Sequence, residues 1–310
     1  MRAVFFGTPE IAVPALRALA STTEVVAVVC QPDRPAGRGL EMQAPAVKSA
    51  ATDLGIPVVQ PAKVRTPDFA AWMVEQKADV AVVLAYGRIL PPAILAAPAH
   101  GCINLHASIL PKYRGAAPIT WAVVRGESST GMSVMQMDEG LDTGPVFAVR
   151  AIPILPDETA GELAVRLALL GALCVREDLP RISRGELVAK PQDAAKATLA
   201  PLLKKADGQI DWARNAQEIH DHVRGMSPWP SAFTHVGGKL LKILATRRST
   251  FAKGDAAPGA VVVADPDATL VACADGLIEI VRAQLEGKKA MGARDLVVGR
   301  TLARGAVLGR

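Results

Sequence analysis

The stretch that decides the fold runs from Asp79 to Ser108, DVAVVLAYGRILPPAILAAPAHGCINLHAS. It holds two apolar runs, DVAVVLAY at 79–86 and GCINLHAS at 101–108, with hydrophobic residues on consecutive positions rather than in alternation. Strands of that kind have both faces covered, as in parallel sheets flanked by helices. Upstream, RAVFF (2–6), EVVAVVC (24–30) and PVVQ (57–60) repeat the texture, and PEIAVPALRALAST (9–22) and PAVKSAATDLG (45–55) between them read as helices. The alternation predicts an α/β fold, a Rossmann-like, doubly wound and mostly parallel sheet. Ligands of such sheets sit beyond the carboxyl ends of the strands.

The first strand ends in Gly7-Thr8-Pro9-Glu10, where Thr8 can cap a helix and Pro9 can occupy its first turn without wasting an amide. A dinucleotide fingerprint needs three glycines there to let backbone approach a pyrophosphate, and only Gly7 is present, which argues against a nicotinamide-dependent dehydrogenase.

Inside the apolar run at 101–108 stand two polar side chains, Asn104 and His106. Residues two apart on a strand project to one face, so these two point together into one space while Ile103 and Leu105 pack on the other. A pair of satisfied interior polar groups is one reading; an amide donor beside an imidazole base at a strand end is the other. MDEGLDTGP (137–145) adds Asp138, Glu139 and Asp142 in a glycine-punctuated loop. No His or Cys at ligand spacing accompanies them, so no metal site is expected. If Asp142 folds back on His106, the trio combines an amide donor, a base and a carboxylate.

The second half changes texture. ETAGELAVRLALLGALCVREDLPRI (158–182) has the spacing of an amphipathic helix packed back on the sheet. The polar, basic and breaker-rich run after it predicts a first domain over 1–183, a linker over 184–206 and a C-terminal domain over 207–310. Short β patterns in the last part, GGKLLKILAT, GAVVVADP, ATLVACADG and LIEIVRAQL, predict a small OB-like β-barrel, an architecture that commonly binds nucleic acid. Trp229, between two prolines, reads as a structural plug.

Half of the 310 residues are hydrophobic, ample for two cores, and a net charge of +5 suits a polyanionic partner without requiring one. The four cysteines stand far apart with no C-x-x-C pair, which points to neither zinc nor a disulfide framework. The most apolar helical run, LAVRLALLGALCV, is short and broken by Arg166, so no membrane span is expected, and the N-terminus lacks the features of a signal or transit peptide. A cytoplasmic monomer is the expectation.

NLHASILPKYRGAAPITWAVVRGESSTGMSVMQMDEGLDTGP (104–145) strongly resembles the 10-formyltetrahydrofolate-dependent formyltransferases, whose pattern is N-x-H, then S-L-L-P-x-x-R-G, then a downstream G-x-D-x-G. FFGTPEIAVPAL (5–16), QPDRPAGRG (31–39), RGMSPWPSAF (224–233) and QLEGKKAMGARDLVVG (284–299) place the resemblance closest to the branch that formylates methionine on initiator tRNA.

The resemblance implies transfer of the formyl group of 10-formyltetrahydrofolate to the α-amino group of methionine esterified to initiator tRNA. It implies His106 as the base and Asn104 as donor to the formyl oxygen. Asp142 then either orients His106 or holds a water that carries a proton to the leaving folate nitrogen. Ser108, Ile109, Leu110 and Pro111 match the folate-contacting S-L-L-P, with Ile109 a volume-conserving replacement. Leu84, Ala85 and Tyr86, with the loop from Met137 to Leu141, are implied to line the pterin pocket. Arg114 and Gly115 complete the motif, and the resemblance implies that Arg114 faces the donor or the tRNA end.

For the tRNA, the resemblance implies contacts from the 31–48 segment, where Arg34, Arg38 and Lys48 stand, although Leu40-Glu41 occupies the place of a common Lys-Lys. Lys204, Lys205, Arg247, Arg248, Lys288 and Lys289 form three further basic pairs that suit an RNA-tracking surface. Rival readings are an amino-sugar formyltransferase or a formyl-folate hydrolase built on the same trio, and a non-catalytic RNA-binding protein.

Overall fold

A computed structural model describes residues 1–36, 41–265, 267–299 and 301–309. Two compact units emerge from the contacts. The first comprises Met1–Pro118, Ser129–Pro153 and Ala164–Pro201; the second comprises Ile119–Ser128, Ile154–Leu163 and Leu202–Arg310.

In the first unit, β1 (Arg2–Gly7) is fully buried from Ala3 to Phe6 and pairs in parallel with β2 (Glu24–Val29). An antiparallel hairpin follows, β3 (Arg34–Ala36) with β4 (Glu41–Gln43), before β5 (Val58–Val59) returns to pair in parallel with β2. Then come β6 (Val80–Leu84) and β7 (Cys102–His106), parallel to one another, with β6 against β1. A two-residue strand, β8 (Arg114–Gly115), precedes the antiparallel pair β9 (Ser129–Gln136) and β10 (Val146–Pro153). The main sheet has the order β10-β9-β7-β6-β1-β2-β5, five parallel strands with an antiparallel edge joined through β7 and β9.

The consecutive apolar residues of the expected strands are thus explained by a central, doubly covered sheet. On one face Val4, Phe6, Val29, Met73, Val83, Tyr86 and Ile94 pack together, and Phe6 meets the Tyr86 ring edge-on at 5.2 Å. Each such burial contributes about 1.5–3 kcal/mol. The helix at Pro67–Glu75 starts where Thr66 accepts from the Phe69 amide and Pro67 takes the first turn. The helix expected over 158–182 spans Ala160–Ser183, and Arg150 of β10 holds it through paired bonds of 2.7 Å to the buried Asp178.

Residues 184–201, within the stretch expected to be linker, are laid against the first unit. Lys190 bridges Val146, and β11 (Leu199–Ala200) pairs in parallel with β8. Gly115 makes that approach possible: a Cβ there would stand 2.6 Å from the Ala200 carbonyl oxygen, and its φ of +124° suits glycine alone.

The second unit is an antiparallel sheet in the order β12-β13-β16-β15-β14, formed by β12 (Ala232–Val236), β13 (Lys239–Arg248), β14 (Val261–Asp265), β15 (Ala268–Ala272) and β16 (Leu277–Leu285), with β17 (Met291–Gly292) added on β16. A helix at Ala216–Gly225 packs on β13, opened by a reciprocal cap in which Asn215 and Glu218 each accept from the other's amide. Trp212, Ile219, Leu241, Ile243, Ile278 and Ile280 form the core. Trp229 is 52% exposed and is not among the core residues, so it is no plug. Among the described residues no helix is long and apolar enough to cross a membrane.

Candidate active site

The carboxyl end of β7 carries Asn104 and His106, both buried. Asp142 reaches both from the loop before β10. Its Oδ1 accepts from the Asn104 amide at 3.3 Å, and its Oδ2 lies 3.6 Å from His106 Nδ1. A carboxylate accepts only, so the amide nitrogen of Asn104 must face it, and the second N–H of that group remains for another acceptor. Asp142 Oδ2 also accepts from the Gly115 backbone amide at 2.9 Å. The strand-period argument and the fold-back of Asp142 therefore meet in one place.

His106 has a second partner that no sequence argument supplied. Its Nε2 lies 2.9 Å from the Tyr113 carbonyl oxygen. A carbonyl cannot donate, so Nε2 carries the hydrogen in the neutral ring and Nδ1 is the free lone pair. Local structure aims that carbonyl. Ser108 Oγ donates to the Lys112 carbonyl at 2.7 Å, Ser133 Oγ donates to the Ser108 carbonyl at 2.7 Å, and the Leu110 amide donates to Ser133 Oγ at 3.1 Å. Tyr113 itself adopts φ +63°, and the Leu110–Pro111 peptide is cis.

The Asp142 loop is held just as closely. Asp142 adopts φ +53°, Thr143 donates to both oxygens of Asp138, and Gln192 donates to the carbonyls of Asp142 and Gly144 at 2.8 and 2.7 Å. Arg114 fixes that amide by donating to Gln192 Oε1 at 3.1 and 2.8 Å. Its guanidinium is spent on the loop support, not turned to a ligand through those atoms. Gln192 falls in the stretch expected to be linker, where composition offers no signal for a side chain that buttresses a loop fifty residues back.

The other expected residues surround this centre unevenly. Leu84 is buried at the end of β6, Ala85 is exposed with φ +52°, and Tyr86 is buried. The Tyr86 carbonyl accepts from Thr8 Oγ1 and Gln31 Nε2, while its hydroxyl has no partner among the described residues and burial pushes it up to about 12. Ser108 and Leu110 are buried, Ile109, Pro111 and Met137 half-buried, and Leu141 is 53% exposed. A cleft of about 490 Å³ opens beside the Met137–Leu141 loop rather than over the trio, lined by Arg65, Ile89, Leu90, Pro92 and Glu139 among others.

Of the basic residues, Arg34 is exposed on β3, and Arg38 lies outside the described residues. Lys48 is an ion-pair partner, with Nζ at 2.9 and 2.7 Å from the two oxygens of Asp33. Lys204, Lys205, Arg247, Arg248, Lys288 and Lys289 are exposed, and Arg247 faces Glu279 at 3.4 Å. The antiparallel register sets Arg248 opposite Ile278 and Leu241 opposite Leu285, so the Arg247–Arg248 and Lys288–Lys289 pairs lie at opposite ends of the β13–β16 ladder. The strand length between them is roughly 23 Å. Among the described residues no group of three or more His, Cys, Asp or Glu side chains could hold a metal ion.

Comparison with known proteins agrees with this architecture. Residues 1–175 match the formyl transferase family and residues 202–301 match the formyl transferase C-terminal domain. The chain is 64% identical over 311 aligned residues to the methionyl-tRNA formyltransferase of Sorangium cellulosum (strain So ce56), covering all of both chains. It is 48% identical to that of Myxococcus xanthus (strain DK1622), covering 98% of this chain and 97% of the relative. Among solved structures, the sugar 3N-formyl transferase WlaRD, determined in the presence of dTDP and 5-N-formyl-THF, shares the fold with a TM-score of 0.68 at 17% identity, over 93% of this chain and 99% of its own. With both domain matches in sequence order and full-length identity of this size, the chain belongs to the formyl transferase family, in its methionyl-tRNA formyltransferase branch.

Proposed function

We propose that the protein transfers the formyl group of 10-formyltetrahydrofolate to the α-amino group of methionine on initiator methionyl-tRNA, giving N-formylmethionyl-tRNA for translation initiation. The observation that carries this reading is the single carboxylate, Asp142, shared by Asn104 and His106 at the carboxyl end of a parallel strand. It places a hydrogen-bond donor and a base on one face, which is what attack of an amine on a formyl carbon requires.

The incoming group is an ammonium at neutral pH and must lose a proton before its nitrogen can attack. His106 Nδ1 is the acceptor, because Nε2 is already committed to the Tyr113 carbonyl. The resulting imidazolium stands 3.6 Å from Asp142 Oδ2, so the carboxylate stabilises the charged ring rather than choosing its tautomer. As the new N–C bond forms, negative charge grows on the formyl oxygen, and the free N–H of Asn104 donates to it. Collapse breaks the bond to N10 of the folate, which takes up the proton delivered from the imidazolium directly or through water. The imidazole so freed takes the second proton from the former ammonium nitrogen and passes it to solvent, leaving a neutral amide. Donor contacts are assigned to Ser108–Pro111, Leu84–Tyr86, Met137 and Leu141, the segments that flank the end of β7.

Acceptor recognition is assigned to Arg34 and Arg38 of the 31–43 segment and to the C-terminal domain over 207–310. There the basic pairs mark two ends of a track rather than one patch. The protein works as a cytoplasmic monomer without a metal.

The test is formyl transfer from 10-formyltetrahydrofolate to methionyl initiator tRNA, beside methionyl elongator tRNA and free methionine. Selective formylation of the initiator species is the expected result. Binding of the donor with no transfer to any of the three would overturn the acceptor assignment.

A further inference from the structure

The hairpin of β3 and β4 leaves the sheet at the carboxyl end of β2, and its described legs bury little. Arg34, Glu41, Met42 and Gln43 are all exposed. An isolated two-stranded ribbon of this length does not hold itself in water. Its course must be set at its base, and the structure supplies an unusually dense base. Asp33, the residue before β3, accepts from Lys48 Nζ at 2.9 and 2.7 Å and from Gln60 Nε2 at 2.7 Å. Gln60 also donates to the Gln31 carbonyl at 2.8 Å. These contacts bring together the helix at Ala46–Asp53, the end of β5 and the end of β2. The Gln60 and Lys48 bonds hold the Asp33 carboxyl below the usual carboxylate range.

Position makes this base matter for the reaction. In the order β7-β6-β1-β2, the hairpin springs from a strand three places from the one that carries His106, at the same carboxyl edge. Three strand spacings are roughly 14 Å. An acceptor that brings an amine to His106 and extends along this edge of the sheet reaches the base of the hairpin within that distance.

We propose that Asp33, clamped by Lys48 and Gln60, is a positioning residue for the acceptor RNA, and that Lys48 serves it as a clamp partner rather than as a phosphate contact. The inference rests on the acceptor being tRNA, as proposed above. It makes a prediction opposite in sign to simple electrostatics. Removing a negative charge from a surface that meets a polyanion should tighten binding; removing this one should weaken it, because the hairpin loses its anchor.

The experiment uses the full chain and its isosteric variant Asp33→Asn, together with Lys48→Met, Lys48→Arg and the Asp33→Asn/Lys48→Met double variant. Steady-state formylation of methionyl initiator tRNA at saturating donor gives KM and kcat, and donor affinity is titrated without tRNA. Expected results are a KM for tRNA raised about fivefold or more in Asp33→Asn and Lys48→Met, with kcat and donor affinity within about twofold of the parent. The double variant should be no worse than the poorer single one, since both remove the same clamp, and Lys48→Arg should recover most of the loss. A KM that is unchanged or lower in Asp33→Asn overturns the proposal. So do additive losses, or a Lys48→Met loss accompanied by a salt dependence shallower by about one phosphate contact. If the parent protein binds donor but formylates no tRNA, the functional reading has failed and takes this inference with it; a parent that formylates normally leaves only the clamp at stake.

Discussion

Gln192 donates its side-chain amide to the main-chain carbonyl of Asp142 at 2.8 Å, and the same nitrogen reaches the Gly144 carbonyl at 2.7 Å. One side chain thus sets the height of the loop from which Asp142 addresses both Asn104 and His106. Gln192→Ala leaves two half-buried carbonyls without their donor, a cost of about 1–3 kcal/mol. Because Asp142 then loses its alignment, kcat should fall roughly tenfold. Gln192→Glu is the sharper variant: it keeps the partner of Arg114 but presents oxygens to both carbonyls, so it should be at least as damaging as alanine. Full activity in Gln192→Glu at saturating substrates would contradict the buttress role.

The Tyr113 carbonyl dictates where His106 keeps its proton. ¹⁵N-resolved spectra of the neutral imidazole should show hydrogen on Nε2 and a bare Nδ1, in the parent and in Asp142→Asn alike. A switch to the Nδ1–H tautomer on replacing Asp142 would mean that the carboxylate, not the carbonyl, selects the form. His106→Ala should lower kcat by about 10² to 10⁴, with donor and tRNA dissociation constants little changed.

Acid should weaken the second unit through His222. Burial pushes this imidazole below its ordinary 6.5, and its Nε2 has no hydrogen-bond partner among the described residues. The unfolded chain therefore binds a proton that the folded one resists. Stability is fully present above about pH 6.5 and declines as pH falls from there towards the depressed native value. Urea midpoints followed from pH 8 to pH 5 should show that decline, and His222→Gln should flatten it. An identical slope in the variant would assign the acid sensitivity to other groups.

The thiols should be silent in the native state. Cys30, Cys102, Cys174 and Cys273 are all buried, and burial pushes Cys30 up to about 11 and the other three up to about 12. Iodoacetamide at pH 8 should leave all four unmodified over an hour and label all four in urea, as mass spectrometry of the intact chain would read. Labelling of any one under native conditions would show that its site opens locally.

The legible part of the fold was the part written in unbroken apolar runs. β1, β2, β6 and β7 announce themselves because a covered parallel strand needs apolar residues on both faces, and the long helix at Ala160–Ser183 because its period is 3.6 over six turns. Asn104 and His106 stood out for the same reason, as polar exceptions in such a run. β8 and β11 did not, since two residues carry no period and their pairing depends on Gly115 letting a distant backbone approach. The partners of the site were hidden for a related reason. The Tyr113 carbonyl and the Gly115 amide are backbone groups that any residue possesses, and their direction follows positive backbone φ angles at Tyr113 and Gly115 rather than a side-chain pattern. Lys48 shows the converse limit: sequence records a charge, but not the Asp33 that occupies it.

The interleaving of the two units bears on how the chain is made. Residues 119–128 and 154–163 count with the second unit, most of which is encoded after residue 201. A chain synthesised from its N-terminus therefore displays both excursions while their partners, including Ile219 and Val223, are still unmade. The first unit in turn waits for Gln192 and β11 before its loop support and its last short strand exist. Neither unit is a continuous block of gene: the first is complete only when residue 201 has been made, and the two excursions of the second wait beyond that for the final hundred residues.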